Sequence, residues 1–170
     1  MHPPHPRVYP YGGMRKPLGL SLLELVVVVA VLGILLALGT GFLRSDRIAV
    51  NQAAQSLAAQ VTRARLEAIR RNEFVVINFS TQGFGSYTIF VDTNRNTSQD
   101  AGEPTIQTVT FGQGEWARVR LTGVSGSSTL VFDTRGIPPS LAPVTLTLSD
   151  RGGTYTRTVS ISAQGRAQVQ

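Results

Sequence analysis

Cysteine is missing from this chain of 170 residues, which excludes disulfide scaffolds, thiolate metal sites and cysteine nucleophiles together. Histidine is nearly missing: the two present are His2 and His5, so removal of the N-terminus leaves no imidazole for serine–histidine chemistry or zinc ligation. Lysine is reduced to Lys16, and fifteen of the sixteen basic residues are arginine. Acidic residues number ten, giving a formal charge of +6, and only 15% of the chain is charged. Asp133 and Asp150 stand without a partner carboxylate at a useful spacing, and the serine-rich stretch Ser125–Ser128 has no base to activate it. No catalytic constellation is present, and an enzyme is not expected. At this length one small domain and an appendage are expected.

Apolar residues, at 42%, are gathered at one place. Leu20 to Leu43 is a 24-residue run whose only charge is Glu24; as a helix it would reach about 36 Å, enough to cross a bilayer. Arg7, Arg15 and Lys16 precede it and Arg44, Asp46 and Arg47 follow, so flanking charge says little about orientation. A secretory signal would have a shorter apolar core, although Gly39-Thr40-Gly41 offers a small-residue cut site. A plain anchor fits the length and leaves Glu24 unexplained, because a carboxylate in hydrocarbon costs a few kcal/mol on insertion scales (about 3) and wants a partner.

The string Lys16-Pro17-Leu18-Gly19-Leu20-Ser21-Leu22-Leu23-Glu24 resembles the processing site of type IV prepilins and pseudopilins. The resemblance implies a leader over 1–19, cleavage between Gly19 and Leu20 by a prepilin peptidase, methylation of the new Leu20 amine, and Glu24 as the fifth mature residue. Phenylalanine and threonine, usual at the first and third mature positions, are Leu20 and Leu22 here. It further implies that Glu24 pairs with the α-ammonium of a neighbouring subunit and so sets register during assembly. Met14 would by itself open a complete short leader and is a possible true start.

Beyond the apolar run, Val50, Ala53, Ala54, Leu57, Val61, Ala64 and Ala68 recur at three- and four-residue intervals, with Ile69 beside them. The spacing predicts one long helix from Leu20 to about Arg71, apolar all round at first and amphipathic after. Short strands are predicted at Phe74–Phe79, Tyr87–Val91, Thr105–Phe111, Ala117–Leu121, Thr129–Phe132, Val144–Leu148 and Thr154–Ser162. Asp150-Arg151-Gly152-Gly153 reads as a hairpin turn, and Pro138-Pro139 forbids a strand. The expected fold is therefore α+β. Residues 20–43 form a transmembrane or filament-core helix, and 44–170 a soluble domain with helix over 44–72 and sheet over 73–170.

The segment Ala64-Arg65-Leu66-Glu67-Ala68-Ile69-Arg70-Arg71-Asn72 running into a Val-rich strand is similar to the GspH/FimT group of minor pilins and pseudopilins. So are Val131-Phe132-Asp133-Thr134-Arg135-Gly136 and Val159-Ser160-Ile161-Ser162-Ala163-Gln164-Gly165-Arg166. That likeness implies the pilin-like fold, a single-pass inner-membrane protein with its soluble domain in the periplasm, and a filament of other pilins or pseudopilins as destination. The filament could serve a pilus, type II secretion or DNA uptake in competence.

Two sites are candidates. Oxygen-bearing side chains at Asp92, Asn94, Asn96, Ser98, Asp100 and Glu103 have the spacing of an EF-hand calcium loop, but Thr97 stands where that loop needs glycine and no helix precedes it. The competing reading is a solvated Asx-rich connection with no cofactor. Second, residues 116–170 carry a net +4 while 44–115 are balanced, so Arg135, Arg151, Arg157 and Arg166 are candidate phosphate contacts to DNA. Some FimT-type pilins bind DNA through a C-terminal Gly-Arg-x-Arg element; Gly165-Arg166-Ala167-Gln168 keeps only its first arginine.

Overall fold

A computed structural model describes residues 21–42 and 45–170. The chain divides into two compact units, Met1–Leu43 and Arg44–Gln170. In the first, helix α1 (Leu22–Phe42) carries Glu24 in its opening turn. Every large apolar side chain described on it is exposed, from Leu22 at 80% to Val28 at 47%. Among the described residues no helix is long and apolar enough to cross a membrane; the run from Leu20 to Leu43 ends on residues outside that set.

The second unit opens with α2 (Ser45–Arg71). Asp46 in its first turn and Arg70 and Arg71 in its last complement the helix dipole. The seven residues of the apolar stripe are all buried, at 2% exposure or less, whereas Ile69 is 46% exposed. Four of the seven are alanines, whose short side chains let the helix backbone approach the sheets closely. The helix stops by a Schellman motif: Asn72 is left-handed (φ 55°), its N–H bonds to Ile69 O, and the Glu73 N–H bonds to Ala68 O. Glu67 accepts from both Arg70 (2.6 Å) and Arg71 (2.8 Å), which hold its carboxyl below the usual range.

Eight strands follow: β1 (Phe74–Ser80), β2 (Ser86–Asp92), β3 (Thr105–Thr110), β4 (Val119–Ser125), β5 (Thr129–Phe132), β6 (Val144–Asp150), β7 (Thr156–Ile161) and β8 (Ala167–Val169). They form two antiparallel sheets rather than one, ordered β3-β2-β1-β5 and β4-β6-β7-β8. Helix α2 packs on strands of both, and the core between them includes Leu57, Ile77, Ile89, Leu121, Leu130 and Leu146.

Two expectations are amended. The predicted single helix covers α1 and α2, and its passage through residues 43 and 44 lies outside the described residues. Strand β4 begins at Val119, because Gly114–Trp116 form a short 3-10 turn just before it, and it runs on to Ser125 past an irregularity at Leu121/Gly123. Strand β8 was hidden: three residues are too few to show a period, and it exists only by pairing Ala167 with Ile161 and Val169 with Val159. The turn at 150–153 is as expected, closed by the Gly153 N–H on Asp150 O at 3.0 Å.

Candidate functional site

Gly19 and Leu20 lie outside the described residues. Glu24 is exposed in the first turn of α1.

The loop from Asp92 to Glu103 is tied together by its own side chains. Asp92, the last residue of β2, is fully buried, and its carboxylate accepts the backbone N–H groups of Asn96 (3.1 Å) and Thr97 (2.9 Å). This holds Arg95 and Thr97 in left-handed conformations (φ 61° and 64°). Asn94 and Asn96 each donate an amide N–H to Asp100, at 2.7 and 2.6 Å, keeping its carboxyl below the usual range. Glu103 is lowered too, first by the Asp100 N–H (3.0 Å) and also by that of Thr93 (2.9 Å). Ser98 gives its N–H to the Asn96 side chain. The interior of the loop thus presents amide donors to its acids, and calcium would require those amides to turn over. Among the described residues no group of three or more His, Cys, Asp or Glu side chains is placed to hold a metal ion.

What the loop covers was not legible in advance. Val76 pairs with Phe90 and with Val131 on the face of the first sheet turned away from the main core, yet Val76 and Phe90 are both fully buried. Chain folds back across this face. The Arg95 guanidinium sits 4.6 Å from the centre of the Phe74 ring. Thr97, Phe74, Asp92 and Val131 line a cavity of about 280 Å³ there.

The four candidate arginines do different things. Arg135 bonds the Asp133 carboxylate at 2.8 Å, with its own side chain 77% exposed. Burial pushes the Asp133 carboxyl up, but the Ile137 N–H (2.9 Å) and Arg135 outweigh it, and the net direction is down. Arg151 spans from the β6–β7 turn to the carbonyls of Ala117 (2.6 Å) and Gly112 (3.0 Å). Arg157 donates to Asn51 of α2 at 2.6 Å, an oxygen it shares with the Tyr155 hydroxyl. Arg166 is exposed on the turn between β7 and β8 and lines an open depression of about 380 Å³ with Thr145, Ser160, Gln164 and Gln168. Arg151 and Arg157 are linked through the β6–β7 hairpin, whereas Arg135 and Arg166 lie on other connections.

A long helix laid on antiparallel sheet, preceded by an apolar helix interrupted by one carboxylate, defines a type IV pilin-like protein. The family profile described as type II transport protein GspH matches residues 53–165, and the chain belongs to that family of minor pilins and pseudopilins. It is 52% identical over 155 residues to the pilin-like protein PilA1 of Thermus thermophilus, covering 89% of this chain and 97% of that one. Two crystal forms of the type IV minor pilin FimU of Pseudomonas aeruginosa share the fold. One superposes with a TM-score of 0.55 at 20% identity, over 74% of this chain and 91% of FimU. The other gives 0.52 at 21% identity, over 71% and 91%.

Proposed function

We propose that this chain is a minor pilin, a structural and assembly-initiating subunit of a type IV pilus or pseudopilus. It is made as a precursor, cut between Gly19 and Leu20 by a prepilin peptidase, and methylated on Leu20. Residues 20–43 hold it in the inner membrane, with residues 44–170 on the periplasmic side, until it is drawn into a filament of other pilins. The observation that carries this reading is α1, whose described apolar side chains are bare on every side while Glu24 sits alone among them. Such a surface is stable only against lipid or against other helices. The GspH profile and the pilin-like relative support the same role. Intact-mass analysis of the protein from its native membrane should give a chain starting at methylated Leu20; an uncut start, or a cut after Gly39-Thr40-Gly41, rejects it.

A second reading, DNA capture during uptake, is favoured by one observation: Arg166 is exposed beside a depression where Thr145, Ser160, Gln164 and Gln168 supply polar groups alongside Pro143 and Ile161. Phosphates suit such a surface, and affinity would fall steeply with salt. The full chain in detergent should then retard duplex DNA at low salt, and Arg166→Ala should weaken the shift; unchanged retardation in the variant removes Arg166 from the reading. A type II secretion pseudopilin would instead show no salt-sensitive shift and would cross-link to other pseudopilins.

A further inference from the structure

At the end of the C-terminal unit where α2 begins, two aromatic rings are each flanked by two guanidiniums. Arg47 and Arg157 lie 5.3 and 5.4 Å from the centre of the Tyr155 ring. Arg120 and Arg151 lie 5.4 and 5.1 Å from that of Phe84, a ring 41% exposed. The two assemblies meet at the β6–β7 turn, which supplies both Arg151 and Tyr155. That turn is closed by the Tyr155 N–H on the Asp150 carboxylate at 2.7 Å. Arg118 joins the same region through Asp46 of α2 at 3.0 Å. The strand register agrees: Val119, next to Arg118, faces Asp150, and Arg120 faces Ser149.

Guanidiniums held over rings lose little freedom on binding, and the N–H groups not already given to Ala117, Gly112 and Asn51 remain to donate to anions. Backbone carbonyls and Asn51 fix Arg151 and Arg157 further, so this is a preorganised cationic surface rather than a set of loose side chains. Five arginines here meet three acids, Asp46, Glu115 and Asp150, which leaves a surplus of positive charge. The chain also enters the unit at this end: Leu43 closes the apolar run, and Arg44 and Arg47 follow it directly in sequence.

We propose that this face binds the anionic phosphate headgroups of the membrane in which the apolar run is anchored. The inference rests on the membrane-anchored reading above. Lipid phosphate is favoured over nucleic acid because the rings are already engaged by guanidiniums, which removes them as platforms for base stacking. Entry of the chain at this end also places Arg47, one of these arginines, close in sequence to the anchoring run.

The test uses the full chain reconstituted in vesicles and its single tryptophan. Trp116 precedes Ala117, the residue whose carbonyl holds Arg151. Quenching of Trp116 by a spin label on the lipid headgroup should be about threefold stronger in vesicles containing phosphatidylglycerol than in pure phosphatidylcholine. The excess should vanish at roughly 0.5 M salt. The double variant Arg47→Gln, Arg118→Gln should bring quenching to the phosphatidylcholine level. Asp46→Asn, which removes the negative charge paired with Arg118, should increase it. Flotation with pure phosphatidylcholine vesicles reads the anchor alone, and its failure would reject the anchored reading. Flotation with equal quenching in the two lipids overturns the headgroup face. A larger change of Trp116 emission on adding duplex DNA than on adding phosphatidylglycerol assigns the face to nucleic acid and also overturns it.

Discussion

Asp92 shows how one buried side chain decides the character of a surface loop. Its carboxylate satisfies two backbone N–H groups where two non-glycine residues, Arg95 and Thr97, turn left-handed within three positions. Asp92→Ala should therefore cost about 1–3 kcal/mol by orphaning those donors. It should also speed proteolytic cleavage within residues 93–104, which limited digestion would read; an unchanged cleavage rate would mean the loop is held by other contacts. Asp133 is the second such residue. Its folded-state value lies below the free value of 3.8, so the ionised form stabilises the fold in full above that value. The contribution disappears as pH falls through the folded value. Asp133→Asn should accordingly lower the urea midpoint near neutrality and converge with the parent chain as pH falls through the folded-state value. A gap independent of pH would show that charge at Asp133 is not what matters.

Helix α2 is held by its contact with the sheets more than by its own propensity, since its apolar stripe is narrow and largely alanine. Leu57, 1% exposed, is the largest side chain of that stripe. Truncation to alanine should cost about 2–5 kcal/mol in equilibrium denaturation, with little left to fill the space. The β1–β2 hairpin depends instead on a close approach. Gly85 has φ 86°, and a Cβ there would stand 2.6 Å from Leu121 Cβ and 2.9 Å from its carbonyl oxygen, which is backbone and cannot swing aside. The Leu121 N–H meanwhile bonds to Phe84 O at 2.9 Å, so the hairpin is joined to the second sheet at this point. Gly85→Ala should lower thermal stability by more than Gly83→Ala, whose Cβ would meet nothing within 4 Å. Equal losses at the two sites would locate the cost in φ alone.

For the molecule as a whole, the proposed chemistry of assembly rests on one carboxylate, Glu24. If Glu24 meets a neighbour's amino terminus, Glu24→Ala should leave membrane insertion intact, or improve it, while sharply reducing incorporation into filaments. Fractionating membranes and sheared filaments separates those effects, and wild-type incorporation would exclude the pairing. The C-terminal unit is built differently, with its charges organised by rings, carbonyls and amides, so its arginines form local structures rather than one continuous stripe. Charge counted along the sequence could locate the excess of arginine after Trp116. It could not tell Arg135, closed on Asp133, from Arg157, bonded to a helix residue more than a hundred positions earlier.

The sequence alone determined what repeats at a fixed interval or is contiguous: the apolar run, the α2 stripe and seven of the strands. These are local patterns, and the stripe and the strands are dictated by burial on one face of a regular element. Tertiary structure decided which partners meet. The division into two sheets, the pairing that creates β8, the second buried face under the 92–103 loop and the two arginine–ring assemblies all join residues far apart in the chain. Their energies come from contacts made only when long loops close, and no spacing along the sequence records those contacts.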